Sequence, residues 1–261
     1  SGDVGANHGG AYDYWIIKLD ALGNTQWQKL LGGSGEDRAM SIVQTTEGGY
    51  IVEGYSTSSN SGDVAGTSHG DSDIWILKLD VSGNILWQKL IGGNSEELAS
   101  GIKQTADGGY IVSGQTRSSN SGDVGTNNGS ADSWVVKLDT LGAIQWQKTL
   151  GGSADDGSPT IEQTGDGGYL LGLNTLSSNS GDVCLSHGGV DAWFVKLNAS
   201  GTIVWQKTIG GSNADIVYSF QKMADGGFVT AGYTACLNSG DIGMTKGGFD
   251  AWMMKINAFG V

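Results

Sequence analysis

The sequence of 261 residues is poor in the features that define several protein classes. It has one proline and two cysteines, so it is neither a collagen-like chain nor a disulfide-stapled scaffold. It carries 14 Lys and Arg against 27 Asp and Glu, and this net charge of −13 argues against a nucleic-acid partner. No apolar run reaches the roughly 18 residues of a membrane-spanning helix, and no signal peptide is visible at Ser1.

What the chain has in abundance is glycine and an internal repeat. With 38% hydrophobic residues and nine Trp besides the 46 Gly, it has the material for a folded core. The tetrapeptide Ser-Gly-Asp-Val/Ile begins at five positions, 60, 60, 59 and 59 residues apart: Ser1, Ser61, Ser121, Ser180 and Ser239. We therefore predict a single domain, 1–261, built from repeats 1–60, 61–120, 121–179 and 180–238 and a partial repeat 239–261.

Each repeat predicts four short strands. In residues 36–93 these are strand a at Ala39–Thr45, b at Tyr50–Tyr55, c at Asp73–Leu79 and d at Ile85–Ile91. Gly-rich turns join a to b and c to d, and a long polar loop joins b to c. No stretch has a helical period of useful length, so the fold class is all-β.

The number of strands bears on the architecture. The chain reads c-d, then a-b-c-d three times, then a-b-c, which makes 17 strands. Because one four-stranded sheet cannot bury both of its faces, the pattern predicts a β-propeller of antiparallel four-stranded blades. We favour four blades, with five as the alternative, in a ring closed by the N-terminal d strand. One c strand, 12–19 or 250–256, is then surplus and could pair with another molecule.

Three motifs carry a family resemblance. Trp-Gln-Lys-x-x-Gly-Gly-Ser occurs at Trp27–Ser34, Trp146–Ser153 and Trp205–Ser212, and Gly-Gly-Tyr-Ile-Val-x-Gly at Gly48–Gly54 and Gly108–Gly114, followed by Asp-x-Trp-x-x-Lys-Leu. The combination resembles the bacterial β-propeller repeat named for seven-bladed propellers. It is also similar to repeats of large bacterial secreted and surface proteins, some exported by the type IX route. The resemblance implies a propeller and an extracellular or cell-surface location, and it implies no catalytic residues.

The long b–c loops are the predicted functional rim, because long loops on a rigid scaffold usually carry binding residues. Their acids and histidines recur at equivalent positions, whereas two aromatic residues occur once and are not required by the repeat. The candidate ligand-binding residues are Asp3, Asp13, Asp63, His69, Asp73, Asp123, Asp132, Asp182, His187, Asp191, Asp241 and Asp250, with Tyr12 and Tyr14.

The repeated Asp pairs have two interpretations. Oxygen ligands suit calcium, and Asp63 and Asp73 are the calcium candidates. The loops lack the dense Asp-x-Asp-x-Asp spacing of calcium loops, so we favour structural roles: Ser-Gly-Asp as an Asx-turn and the second Asp bonding backbone N–H groups at the start of strand c.

Two further features concern packing and covalent structure. The Trp column in strand c, which includes Trp75, is predicted to pack between blades because its neighbours are apolar. Cys184 and Cys236 lie in successive b–c loops and are a disulfide candidate, provided that their Cα atoms lie within about 7 Å.

The chain contains none of the common catalytic motifs. We therefore expect a non-enzymatic extracellular propeller that binds a glycan or protein ligand through several equivalent loops. The alternative is a structural unit that forms arrays or filaments by strand exchange, with self-association through the surplus c strand. A glycoside hydrolase using rim carboxylates ranks third. Apart from calcium, no cofactor is indicated.

Overall fold

A computed structural model describes residues 7–236, 239–243 and 245–257. All regular elements in these ranges are β-strands, and there are 17 of them, as predicted. The all-β class is thereby confirmed. Within the described ranges there is no helix that could cross a membrane.

The strands follow the repeat closely. Strands c and d have the predicted bounds in the first complete repeat, whereas strand a begins at Asp37, two residues before the predicted start. In chain order the strands are β1 (Tyr14–Leu19), β2 (Thr25–Leu31), β3 (Asp37–Gln44), β4 (Tyr50–Ser56), β5 (Asp73–Leu79), β6 (Ile85–Ile91), β7 (Glu97–Gln104), β8 (Tyr110–Thr116), β9 (Asp132–Leu138), β10 (Ile144–Leu150), β11 (Asp156–Gln163), β12 (Tyr169–Thr175), β13 (Asp191–Leu197), β14 (Ile203–Ile209), β15 (Asp215–Lys222), β16 (Phe228–Thr234) and β17 (Asp250–Ile256).

The strands form five antiparallel sheets. Three are four-stranded, β3–β6, β7–β10 and β11–β14, and in each the strands pair in sequence order. The first sheet contains only β1 and β2, and the last contains β15, β16 and β17. In the described residues no sheet closes on itself.

The N-terminal d strand, β2, was expected to close a ring, but in the described residues it does not pair with the last sheet. Strand β2 pairs with β1, with Tyr14 opposite Leu31 and Lys18 opposite Trp27. The tight turn between them is held by Asp20, whose Oδ1 accepts the N–H groups of Leu22 and Asn24 at 2.8 Å. A hairpin closed by so short a turn costs little loop entropy, which favours local pairing over a distant partner.

The described contacts group into two compact units. One comprises Ser1–Val112, Thr116–Gly125 and Lys137–Gln145, and the other comprises Ser113–Gln115, Thr126–Val136 and Trp146–Val261. Within each unit, sheets pack face to face over an apolar core.

The two cores differ in their aromatic residues. In the first unit, the core includes Tyr14, Trp75 and Leu77, all fully buried. In the second, the core includes Phe194 and Phe228, and the ring of Phe228 stacks on that of Phe220 with centroids 4.8 Å apart. Aromatic pairs of this kind add to the free energy that the burial of apolar area contributes.

The Trp column in strand c packs as predicted in the complete sheets. Trp75, Trp134 and Trp193 are 0% exposed. Each indole N–H donates to a Gln on the neighbouring strand d, 13 residues further on, as in the 2.9 Å bond from Trp75 to Gln88. Trp15 makes the same bond to Gln28 but is 47% exposed, because β1 lies in the short first sheet.

Candidate functional site

The Ser-Gly-Asp-Val segments that begin at Ser61, Ser121 and Ser180 form tight turns that bond to the preceding repeat. Ser61 and Val64 exchange backbone hydrogen bonds, and Gly62 has a φ of +56°, which favours glycine. The N–H of Asp63 donates to the carbonyl of Gly32 at 2.7 Å, and its carboxylate accepts the Gly32 N–H at 3.3 Å. Asp63 thus bonds a glycine 31 residues earlier, whereas an Asx-turn would bond within its own loop.

The second Asp of each pair bonds the backbone of its own loop, which confirms the hydrogen-bonding interpretation. Asp73 Oδ2 accepts the N–H of His69 at 2.8 Å. This bond recurs in every repeat: His8 to Asp13, Asn128 to Asp132, His187 to Asp191 and Lys246 to Asp250. The bonded N–H lies in the loop, four or five residues before the Asp.

A second acid is buried at the first residue of each strand a, beside the second Asp of four of these pairs: Asp37, Glu97, Asp156 and Asp215. Glu97 Oε2 accepts the N–H of Gly93 at 2.7 Å, and its Oε1 accepts the Thr116 hydroxyl at 2.6 Å. A Cβ on residue 92 would overlap both Asp73 Oδ1 and Glu97 Oε2, so only glycine fits between the two acids. Asp73 Oδ1 has no hydrogen-bond partner and faces this glycine, an arrangement that suits a weak Cα–H···O contact.

Several of these buried acids have a raised pKa. Burial raises the pKa of Asp132 to about 6, against the Asn128 N–H bond that lowers it, and the neighbouring charges of Asp156 and Asp182 raise it further. Burial likewise raises the pKa of Asp73, Asp191 and Glu97. Asp73 and Glu97 are both 0% exposed.

Histidines link the acids of consecutive repeats. His8 Nδ1 lies 3.3 Å from Asp13 Oδ2, and its Nε2 lies 3.5 Å from Asp63 Oδ2. His187 is placed in the same way between Asp191 and Asp241, at 3.8 and 3.9 Å. His69 Nδ1 lies 3.0 Å from Asp73 Oδ2. The acids therefore meet across the boundary between repeats.

This arrangement separates the two calcium candidates. Asp63 lies against His8 and Gly32, whereas Asp73 lies against His69 and Glu97. In the described part of the chain there is no group of three or more His, Cys, Asp or Glu side chains placed to hold a metal ion. Calcium binding stays a prediction, and Asp63 and Asp73 do not form its ligand set together.

One open cavity, of about 370 Å³, lies next to the predicted rim residues. His69 and Asp123 line it, as the sequence predicts, together with Lys89, Leu90 and Ile144. The sequence assigns Lys89 no role in binding, because it is the lysine of the Trp-Gln-Lys motif that all four full repeats share. The position of strand d beside the b–c loop brings this lysine to the cavity.

The two aromatic candidates have different environments. Tyr12 is 49% exposed, and the Arg38 guanidinium lies 3.9 Å from the centroid of its ring. Tyr14 is fully buried and donates its hydroxyl to the carbonyl of Trp75 at 3.1 Å. Tyr14 is therefore a core residue and presents no surface to a ligand, contrary to the prediction. Asp3 lies outside the described residues.

The candidate disulfide between Cys184 and Cys236 is not formed, since both cysteines are free. Cys236 is buried, donates to Asp215 Oδ2 at 3.0 Å and accepts the Asn213 N–H at 3.1 Å. It stands where the other repeats have a serine, such as Ser58, that bonds the buried acid. Cys184 is half-buried, with its Sγ 3.9 Å from Thr208 Oγ1. Each thiol thus has a local partner within its own repeat.

No protein-family model matches the chain, and no curated protein matches it. Solved structures do. A crystal structure of a protein of unknown function from Dyadobacter fermentans DSM 18053 superimposes with a TM-score of 0.52 at 12% sequence identity. The match covers 92% of this chain and 69% of that one. At this identity the likeness concerns the fold alone.

Proposed function

We propose that the chain is a non-catalytic binding module that holds a glycan on its b–c loop surface. The cavity beside His69 carries the proposal. An imidazole, an ammonium group and a carboxylate converge there from His69, Lys89 and Asp123, next to the apolar side chains of Leu90 and Ile144. Such a mixture of donors, acceptors and apolar surface suits the hydroxyl groups and ring face of a sugar.

The recurrence of the histidine and aspartate groups in several repeats supports multivalent binding. The position of His69 is taken by His8 and His187 in other repeats, each beside the Asp of the following Ser-Gly-Asp turn. Single contacts of low affinity would then add through avidity. We also propose that the repeats are arranged as a propeller and that the protein acts outside the cell, as the family resemblance implies.

The test compares two charge-removing variants on a glycan array. His69→Asn with Asp123→Asn alters the cavity, and asparagine already occupies the His69 position at Asn128. The control removes charge from the c–d turns, at the opposite end of the strands, by changing Asp20, Asp80 and Asp139 to Asn. Asparagine is tolerated in this turn, since Asn198 forms it in the fourth repeat. We expect the first variant to lose binding and the control to retain it. Absence of binding by the unmodified chain, or equal binding by both variants, contradicts the proposal, and a protein ligand captured instead would identify a protein-binding module.

A second candidate, a self-assembling structural unit, is favoured by one observation. Trp15, Ile17 and Leu19 on β1 are 47%, 41% and 49% exposed, whereas their equivalents Trp75, Leu77 and Leu79 are 0% exposed. An apolar stripe of this kind is a candidate association surface. Sedimentation at increasing concentration tests it, with Ile17→Ser expected to abolish any growth in mass. A constant monomer mass up to about 1 mM contradicts it.

A further inference from the structure

The cavity beside His69 lies where the second and third repeats meet. His69, Lys89 and Leu90 come from the second repeat, and Asp123 and Ile144 come from the third. Its volume of about 370 Å³ falls in the range of small-molecule sites, about 300–1,000 Å³. The sheets on both sides have all four strands, so the cavity does not arise from a missing strand.

In the third repeat, the lysine of strand d pairs with the Asp of the next Ser-Gly-Asp turn. Lys148 Nζ lies 3.6 Å from Asp182 Oδ1. Lys89 and Asp123 occupy the corresponding positions at the cavity. Among the described residues, the exposed ammonium group of Lys89 has neither an ion pair nor a hydrogen bond. It is therefore available to a ligand.

Histidine makes a corresponding contact with the turn Asp in other repeats. Nε2 of His8 lies 3.5 Å from Asp63 Oδ2, and a contact of 3.9 Å of the same kind links the fourth and fifth repeats. Within the part of the chain that the structure describes, His69 has no contact with Asp123 inside 4 Å. The side chains that contact one another elsewhere are thus left open to a ligand at this cavity.

Hydrogen bonds within the protein fix which groups of the cavity can donate. Nδ1 of His69 lies 3.0 Å from Asp73 Oδ2. Because a carboxylate only accepts, Nδ1 carries the proton of the neutral ring and Nε2 is an acceptor. Oδ2 of Asp123 accepts the Gly92 N–H at 3.3 Å, which leaves its Oδ1 as a second acceptor. The cavity therefore offers two acceptors and one donor, the ammonium group of Lys89.

The charges around the cavity disfavour an anion. Two acids, Asp73 and Asp123, lie close enough for their charges to interact, against the one ammonium group of Lys89. The whole chain carries a net charge of −13. Leu90 is half-buried and Ile144 is 36% exposed, so both present apolar surface that suits the C–H face of a sugar ring.

We propose that this cavity binds a neutral sugar with two adjacent hydroxyl groups and disfavours a uronic acid. One hydroxyl donates to Nε2 of His69, and its neighbour donates to Oδ1 of Asp123. The ammonium group of Lys89 donates to a hydroxyl oxygen of the same pair, and the C–H face of the ring lies on Leu90 and Ile144. This inference rests on the glycan-binding proposal, since it assigns the class of sugar to the same cavity.

The probe is a glycan array in which each neutral oligosaccharide has a partner with a uronic acid in place of its terminal hexose. We expect the unmodified chain to bind the neutral members at least about fivefold more tightly, because the added carboxylate lies near that of Asp123. If no glycan binds, the glycan-binding proposal fails and this inference fails with it. If the uronic acid partners bind equally or more tightly, only the class of sugar is overturned.

Asp123→Asn separates charge from shape at the same position. The amide oxygen still accepts from a hydroxyl, but the repulsion of a carboxylate is gone. We expect the preference for neutral glycans to fall to within about twofold. The control is Asp80→Asn, which removes a charge from a c–d turn and is expected to leave the preference unchanged. An unchanged preference in Asp123→Asn overturns the inference.

Two lysine variants test the donor. Lys89→Met removes the ammonium group and is expected to weaken binding of the neutral glycans about fivefold. Lys148→Met makes the same change at the lysine that is paired with Asp182 and does not line the cavity, and its affinity is expected to stay within about twofold. Equal affinities of the two variants overturn the role of Lys89 in holding the sugar.

Discussion

The indole ring of Trp27 lies against Gly83, the glycine of the c–d turn in the next repeat. A Cβ on residue 83 would lie 2.9 Å from Cζ3 of Trp27. The indole N–H donates to the carbonyl of Val81 at 3.1 Å, and the ring meets Tyr50 edge-on at 5.6 Å between centroids. Strand β2 of the first sheet is thereby attached to strand β4 and to the β5–β6 turn of the next sheet.

Replacing Gly83 by alanine tests this packing. Gly83 has a φ of +78° and a close ring, whereas Gly23 has a φ of +84° with nothing within 4 Å of a Cβ. Gly23→Ala is expected to cost about 1 kcal/mol from backbone strain alone. Gly83→Ala is expected to cost about 2–3 kcal/mol because the ring must also move. Urea unfolding measures the free energy of unfolding of both variants. Equal losses of stability would show that the contact with the Trp27 ring contributes little.

Cys236→Ser is expected to stabilise the protein by about 1 kcal/mol, because a hydroxyl is a stronger donor than a thiol. The serine would then bond Asp215 as Ser58 bonds Asp37, at 3.0 Å. The matched change Cys184→Ser is expected to have little effect, since Cys184 has only a 3.9 Å contact with Thr208. Thermal unfolding of the two variants measures these changes in stability. A lower melting temperature of Cys236→Ser would contradict the proposed hydrogen bond from residue 236 to Asp215.

We expect the stability of the protein to depend on pH because of the buried carboxyl group of Glu53. It is fully buried, neither carboxyl oxygen has a hydrogen-bond partner, and burial raises its pKa well above 4.5. The pKa of Glu53 is higher in the folded state than in the unfolded state. Its contribution to the free energy of unfolding is therefore fully present below about pH 4.5 and is lost as the pH rises through the folded-state pKa. We expect Glu53→Gln to be more stable than wild type at pH 8 and to lose this advantage at pH 4.

The control for Glu53 is Glu36→Gln, which removes an exposed carboxylate. Denaturant unfolding is measured for all three proteins across this pH range. A difference between wild type and Glu53→Gln that does not change with pH would show that Glu53 is not ionising in the core.

The a–b turns contain an acid that is bonded to a lysine of strand c. Asp166 Oδ1 lies 3.0 Å from the Nζ of Lys196, whose side chain is 5% exposed. Hydrogen bonds from Thr164, the Gly168 N–H and Lys196 lower the pKa of Asp166 to about 2, although partial burial opposes them. The stability from this pair is present above about pH 4 and is lost as the pH falls toward 2.

Asp166→Asn is therefore expected to cost about 1–2 kcal/mol at pH 7, since it leaves a buried ammonium group short of a partner. Asp225→Asn is the matched change, because Lys255 makes the same bond at 2.6 Å but is 61% exposed. We expect a much smaller loss there, since water replaces the partner of an exposed lysine. Equal losses in urea unfolding would refute the role of burial.

Local sequence signals were sufficient for most strand boundaries. Strand c is rich in β-branched and aromatic residues and, like strand d, lies between Gly-rich turns; β5 and β6 have the predicted ends. Strand a was predicted too short because Asp37 looks like a loop residue. Its carboxyl is buried and its N–H donates to the carbonyl of Tyr12 at 2.9 Å, a contact between distant segments that no local pattern reveals.

The candidate site was predicted only in part. The repeated acids and His69 do lie on the loop side of the sheets, and the cavity includes His69 and Asp123. Tyr14 was misassigned because it occurs once, although its position is one that faces the next sheet. Lys89 was overlooked because a residue shared by all repeats looks like a part of the scaffold.

The sequence by itself determined the repeat, the all-β class and the number of strands, because these depend on the repeat period and on short runs of β-branched and aromatic residues between glycine-rich turns. Only the tertiary structure decided which acids meet. Asp63 contacts His8 of the preceding repeat, and Asp73 shares a glycine with Glu97. Partners that are more than 20 residues apart come together through sheet pairing and packing. The pairing of β2 with β1 was decided at that same level.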